Sequence, residues 1–286
     1  MNTNTLMKED SATTESVGRE DVSPILETHD GGRTFERALR RAARDEELVR
    51  LLGQYIHFNS VFGSGVANLA GEIGARQDLF RDPEEAVSAV ADRSVEVAAH
   101  IFYAAVDEFG SGASRRSTHR AMAQATLKAA GRYFGYEARA LDRLALPTVQ
   151  TLDAERRVRE GYCLGQAADE RKLFRAVGFH MGSEVLADQE FNMLDGFLRA
   201  ERPEFVEHMK GARVEIDGVG NAAYRWIQVH TSVEADHFSA AVAGANLALR
   251  FYAGAHPVGR AKEWLVAGFR EFASVQSDFM SGLSES

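Results

Sequence analysis

From residue 34 to near the C-terminus, apolar residues recur every three to four positions, and no stretch sustains two-residue alternation. That pattern confines the chain to packed helices. Residues 34–58 carry it in Phe35, Leu39, Ala42, Leu48, Leu51, Leu52 and Ile56. Only 5 prolines occur in 286 residues, so few positions forbid a helix. Gly63-Ser64-Gly65 reads as a kink or turn before a segment over 66–75. Asp82-Pro83-Glu84-Glu85 reads as a capped helix start, running to about Phe109. Gly110 and Gly112 open a loop, and Ser117 or Thr118 restarts a helix through about residue 134. Pro147 marks a break. Residues 153–199 hold one or two helices, interrupted near Gly161 or Gly165. Pro203 opens a short helix to about residue 210. Three glycines and one β-like run, Val214–Ile216, occupy 211–220, and a long helix follows over about 221–253. His256-Pro257 ends it, and 259–280 is the last helix. The expectation is an all-α bundle of seven to nine helices in a single domain, 33–286. Residues 1–32 are rich in Thr, Ser, Glu and Asp, close on Gly31-Gly32, and read as a disordered acidic leader.

Charge narrows the function. The net charge is −9, and more than half of that excess falls in the first 32 residues. The near-neutral remainder has no basic block, which argues against nucleic acid as a partner. A single cysteine, Cys163, excludes an intrachain disulfide and a four-cysteine metal site. No basic stretch followed by an apolar one stands at the N-terminus, and the apolar run Val95–Val106 is interrupted by Glu96 and His100. A cytoplasmic protein with no membrane partner is expected.

The chemistry lies in how histidines and carboxylates are spaced. His230, Glu234 and His237 stand at i, i+4 and i+7 of the long helix, on one face. Trp226, Ile227, Val233, Phe238, Ala241 and Ala245 surround them, so the stripe projects polarity into an apolar setting. Two imidazoles and a carboxylate without thiolate suit iron, manganese or zinc. A solvated polar face is the plainer alternative. A second set, His180, Glu184 and Asp188, repeats at i, i+4 and i+8; Arg171, Lys172 and Arg175 nearby also fit a salt-bridged stripe. In a third, Glu108 ends one helix and His119 begins the next, and the glycine-rich loop between could bring them to one point.

In this order the motifs Asp-Glu108-Phe-Gly-x-Gly…Thr-His119, Gly-Phe-His180-x-Gly-Ser-Glu184-x-x-Ala-Asp188-x-Glu-Phe and His230-Thr-x-x-Glu234-x-x-His237-Phe resemble the heme-oxygenase-like di-iron oxidases and oxygenases. The resemblance covers roughly 34–280. It implies a seven-helix bundle, often a homodimer, holding two non-heme irons through Glu108, His119, Glu184, His230, Glu234 and His237. Glu190 and Glu201 are alternatives to Glu184, since 211–220 looks like an insertion between that carboxylate and His230. Glu96, His100, His180 and Asp188 are candidates for an extra ligand or for orienting one. The irons, cycling between Fe(II) and Fe(III), would use O2 and an external electron donor on a small molecule. N-oxygenation of an amine or amino acid, in natural-product biosynthesis, is the activity expected. Oxidative C–C cleavage or desaturation of an amino or fatty acid is the alternative. Asp188 could hold a cationic substrate, and Arg175 or Arg225 a carboxylate. Two rivals stand outside the di-iron reading: a metal-free helical binding protein, and a thiaminase-like hydrolase using Cys163 as nucleophile.

Overall fold

Glycine at one helix crossing sets the centre of the molecule. In the computed structural model, helix α9 (Glu170–Glu201) packs along α12 (Val258–Glu285). A Cβ on Gly178 would stand 1.8 Å from the Leu265 carbonyl oxygen, and one on Gly268 would stand 1.9 Å from that of Arg175. Only glycine permits backbones this close. The residues described are 15–82, 93–110 and 117–285, apart from the side chains of Glu234, Ala235 and Glu285.

Twelve α-helices and one two-stranded hairpin occur among the described residues. Besides α9 and α12, they are α1 (Arg19–Thr28), α2 (Gly31–Arg41), α3 (Asp45–Phe58), α4 (Phe62–Gly74), α5 (Arg93–Glu108), α6 (His119–Tyr133), α7 (Ala138–Leu144), α8 (Val149–Gly161), α10 (Pro203–Gly211) and α11 (Arg225–Arg250). The all-α bundle is as expected; the helix count exceeds seven to nine. The segment 34–58 divides at 42–44, and α1 and α7 were not anticipated. Helix starts follow local chemistry. Thr118, Thr148 and Asp169 accept hydrogen bonds from backbone N–H groups in the first turns of α6, α8 and α9, and Pro203 begins α10.

Three expectations need correction. Gly63 and Gly65 are not a break before the helix: both lie within α4, which begins at Phe62. They are small because neighbours press close: a Cβ on Gly65 would lie 2.7 Å from the Tyr162 ring, and one on Gly63 2.9 Å from Glu108 Cβ. Residues 15–32 are not a disordered leader. Val17, Val22 and Ile25 are buried, the Val17 amide donates to Asn246 Oδ1 at 2.8 Å, and Lys262 pairs with Asp21 at 2.9 Å. The acidic composition belongs to one face of α1 and concealed the apolar one. Residues 1–14, the proposed helix start at 83–85 and the loop 111–116 lie outside the described residues. The β-like run is one half of a hairpin, β1 (Arg213–Ile216) against β2 (Val219–Ala222), closed by Asp217 and Gly218 at φ 49° and 79°. Two successive positive φ values are what a tight two-residue hairpin turn requires.

The core is a continuous aromatic seam. Phe58 stacks on Phe279 at 4.1 Å, Phe179 meets Phe272 edge-on at 5.0 Å, and Tyr55 sits among Phe35, Phe191 and Trp226. Helices α5, α6, α9 and α11 surround one end of this seam, and each turns polar side chains into it. No described helix is long and apolar enough to cross a membrane.

Candidate metal centre

Glu108, the last residue of α5, lies beside Gly63 of α4, and its Oε1 accepts from His119 Nδ1 at 3.0 Å. His119, the first residue of α6, is 4 % exposed, and its ring centroid lies 4.5 Å from that of His230 on α11. One ligand atom from each of Glu108, His119 and His230 falls within 4.8 Å of the others. His230 Nδ1 donates to the Trp226 carbonyl at 2.6 Å, and its ring stacks on Phe191 at 4.0 Å. A carbonyl only accepts, so Nδ1 carries the proton and Nε2 keeps the lone pair in the neutral ring. Burial, aided by the adjacent His119, holds His230 well below the usual imidazole range. The ring is therefore in the form a metal needs.

A second set assembles two turns further along the same face of α11. His237 Nδ1 lies 3.4 Å from Glu184 Oε2, and its Nε2 lies 3.1 Å from Asp107 Oδ2. With an N–H at each nitrogen the ring satisfies both carboxylates, and a metal ion bound at Nδ1 would take the place of the proton shared with Glu184. Burial alone would raise the Glu184 carboxyl, but the imidazoles of His180 and His237 outweigh it and hold the group below the usual range. His180 Nδ1 lies 3.1 Å from Glu184 Oε1 and 3.2 Å from the Tyr162 hydroxyl, which fixes the carboxylate from behind.

The two sets meet at one cavity. Glu108, Glu184, Glu190, His230 and His237 all line a space of about 30 Å³ bounded by Phe58, Phe62 and Phe272. A wider recess of about 200 Å³, lined by Ser60, Gly63, Thr118 and Phe109, leads to Glu108, His119 and His230. The donors are imidazole nitrogens and carboxylate oxygens in a partly apolar pocket. They fit iron or a similar divalent ion by type and by spacing.

Five of the six expected ligands thus converge. The side chain of the sixth, Glu234, lies outside the described residues. Of the others, His180 reaches the site. Glu96 and His100 do not: they precede Glu108 on α5 by 12 and 8 residues, or about 18 and 12 Å at ~1.5 Å rise per residue. Glu96 pairs with Arg93, and His100 packs its Cβ near Gly244. Asp188 is turned to the surface, where Oδ1 accepts from Asn192 at 3.0 Å. Glu201 is exposed at the far end of α9. Arg175 pairs with Glu271 away from the cavity. Cys163 is buried, its thiol pushed up by that burial, and its sulfur lies 4.0 Å from the Lys172 carbonyl. That is no setting for a nucleophile.

Asp107 and Tyr162 were missed as partners of the site. Adjacent helical residues point about 100° apart, so Asp107 meets α11 where Glu108 meets α6. Glu190, an alternative for the carboxylate, lines the cavity but faces different groups. It accepts from Tyr55 Oη and Gln276 Nε2, both at 2.7 Å. Burial pushes its carboxyl up to about 7, against the pull of those two bonds. The native protein then keeps a proton that the unfolded chain releases near its ordinary value of 4.5. Stability falls as pH rises between these values, by roughly 3 kcal/mol in all. Glu190→Gln keeps the neutral form and should remove this slope. In urea unfolding of the metal-free protein, its advantage over the parent should grow from pH 5 to pH 7.5. A constant difference would mean that Glu190 is ionised in the fold.

No protein-family model matches the chain, and no curated protein matches it. A crystal structure of a CADD-like protein of unknown function from Nostoc punctiforme PCC 73102 is similar in fold. The TM-score is 0.59 at 14 % identity, over 93 % of this chain and 94 % of that one. The likeness extends along nearly the whole bundle and concerns the fold.

Proposed function

We propose that the protein is a non-heme di-iron enzyme that uses O2 to oxidise a small amine or amino acid. The observation that carries this is the meeting of Glu108, Glu184, His230 and His237, from three helices, at one small cavity, with His119 beside them. The fold shared with the CADD-like protein agrees with the resemblance in sequence.

Glu108, His119 and His230 would hold one ion, and Glu184 and His237, with Glu234 as the expected third, the other. When bound, the iron pair would supply O2 binding and the electrons for its activation. The chain does the rest. The Trp226 carbonyl keeps His230 in the tautomer whose Nε2 offers a lone pair. Asp107 and His180 hold His237 and Glu184 in place. Phe58, Phe62 and Phe272 give the cavity an apolar wall, which lowers the local dielectric and strengthens charge interactions inside it. The recess beside His119 gives a substrate access from the Glu108 side.

N-oxygenation is the outcome we favour, because acidic groups, Asp107 foremost, border the site and suit a cationic amine. The test is anaerobic loading with ferrous salt, followed by O2 in the presence of amines, amino acids and fatty acids. Oxygen uptake above that of free iron, with a product heavier by one oxygen atom on nitrogen, is expected. Uptake no greater than free iron across the whole set contradicts the proposal. A shortened or desaturated product retains the centre and replaces the reaction.

A further inference from the structure

Among the described residues three carboxyl groups line the cavity, and they are not alike. Glu108 pairs with His119, and Glu184 with His180 and His237. Glu190 has no cation bonded to it. Its partners among the described residues are the Tyr55 hydroxyl from α3 and the Gln276 amide from α12, both neutral. Around the same cavity stand His230, kept neutral by burial, and His237 from α11, Glu108 from α5, and Glu184 from its own helix. Glu190 is 3 % exposed. A carboxylate at that depth without a cation is costly, and the group keeps its proton instead.

The wall behind Glu190 is built to let that proton go. His29, half-buried at the end of α1, lies with Nε2 2.7 Å from Gln276 Oε1. Gly31 leaves room for this contact, since a Cβ there would stand 1.9 Å from the same oxygen. With its oxygen taken by His29, the amide turns Nε2–H to Glu190 Oε1, and Tyr55 turns its hydroxyl to Oε2, each at 2.7 Å. Both bonds strengthen when the carboxyl ionises. Burial favours the acid and these donors favour the anion. The balance lies at about 7, where a general acid works best near neutral pH.

N-oxygenation consumes protons. One atom of O2 enters the product and the other leaves as water, with two electrons from an external donor and two protons taken up. We propose that Glu190 is the proton donor of this cavity: its O–H bond breaks, and the proton joins the oxygen that leaves as water. The carboxylate left behind rests on Tyr55 and Gln276. Solvent supplies the second proton and restores the first, by way of the recess that shares Asn59, Glu108 and His230 with the cavity. Gln276 and His29 are positioning residues. The inference rests on the oxygenase reading and adds to it an acid that holds no metal.

Glu190→Gln tests it, since it keeps the size of the side chain and removes the acid. In metal-free protein at pH 6 the parent's infrared spectrum should carry the C=O stretch of a neutral carboxyl group that the variant lacks. Loaded anaerobically with ferrous salt, the variant should bind as much iron as the parent, as tightly. Mixed with O2, it should then consume oxygen roughly 100-fold more slowly. Oxygen uptake at the parent's rate, or no neutral-carboxyl band assignable to Glu190, overturns the proton donor. Reduced iron content in a folded variant, checked by circular dichroism, overturns it too and makes Glu190 a ligand. Failure of the parent to bind iron overturns the oxygenase reading instead.

Discussion

His230→Ala should reduce the iron held by the chain from about two ions to about one, and abolish O2-dependent turnover. Altering groups that merely orient a ligand costs roughly 10–100-fold in metal affinity. His230 is itself a proposed ligand, so the loss at its ion should be about 100-fold or more. Its ring has a fixed tautomer, a stacking partner in Phe191 and a lone pair held in the neutral form by burial. No neighbour can take over that role: His119 and Glu108 already belong to the same group. The metal-free fold should lose about 1–3 kcal/mol, the ordinary range for one buried substitution. Iron titration with circular dichroism separates the two effects. A folded variant that still binds two irons at the parent's affinity would remove His230 from the centre.

Gly178→Ala should be among the most damaging conservative substitutions in the protein. The added Cβ would fall 1.8 Å from Leu265 O and 2.6 Å from its carbon, backbone atoms that no rotamer change can move. Overpacking in a core commonly costs 1–3 kcal/mol and occasionally more. Here about 3 kcal/mol or more is expected, or roughly 6–12 °C in melting temperature for a chain of this size. Gly268→Ala meets Arg175 O at 1.9 Å and should behave alike. Gly71→Ala is the control. It lies on the exposed side of α4 with nothing within 4 Å of a Cβ, and should gain up to about 1 kcal/mol from helix propensity. Because α9 carries Glu184 and His180 within two turns of Gly178, the damaging variants should also weaken iron binding. Thermal unfolding of all three checks the ordering. Equal melting temperatures would show that α9 and α12 are less closely apposed than described.

Much of the site was legible because helical spacing is rigid. His230 and His237 lie seven residues apart and return to one face wherever the helix packs. Glu108 and His119 were readable because Thr118 caps α6 and fixes where that helix begins. The misreadings have the same root. Glu96 and His100 share a helix with Glu108, but the rise per residue puts them two to three turns away, an argument that needs no structure. Asp188 follows Glu184 by one turn, yet the helix there faces solvent. The bond between Asp107 and His237 depended on how α5 crosses α11, and nothing local encodes that crossing. Pattern averaging hid α1, whose acidic face masked Val22 and Ile25. The Asp217-Gly218 pair was a hairpin signal in plain view, obscured by the helical text around it.

The central claim is that two metal ions sit on either side of the cavity between α5, α6, α9 and α11. Anomalous diffraction at the iron edge, from crystals loaded anaerobically with ferrous salt, tests it most directly. Two peaks are expected, one beside Glu108, His119 and His230 and the other beside Glu184 and His237. An empty cavity in iron-loaded crystals, or iron found solely among surface carboxylates, would contradict it.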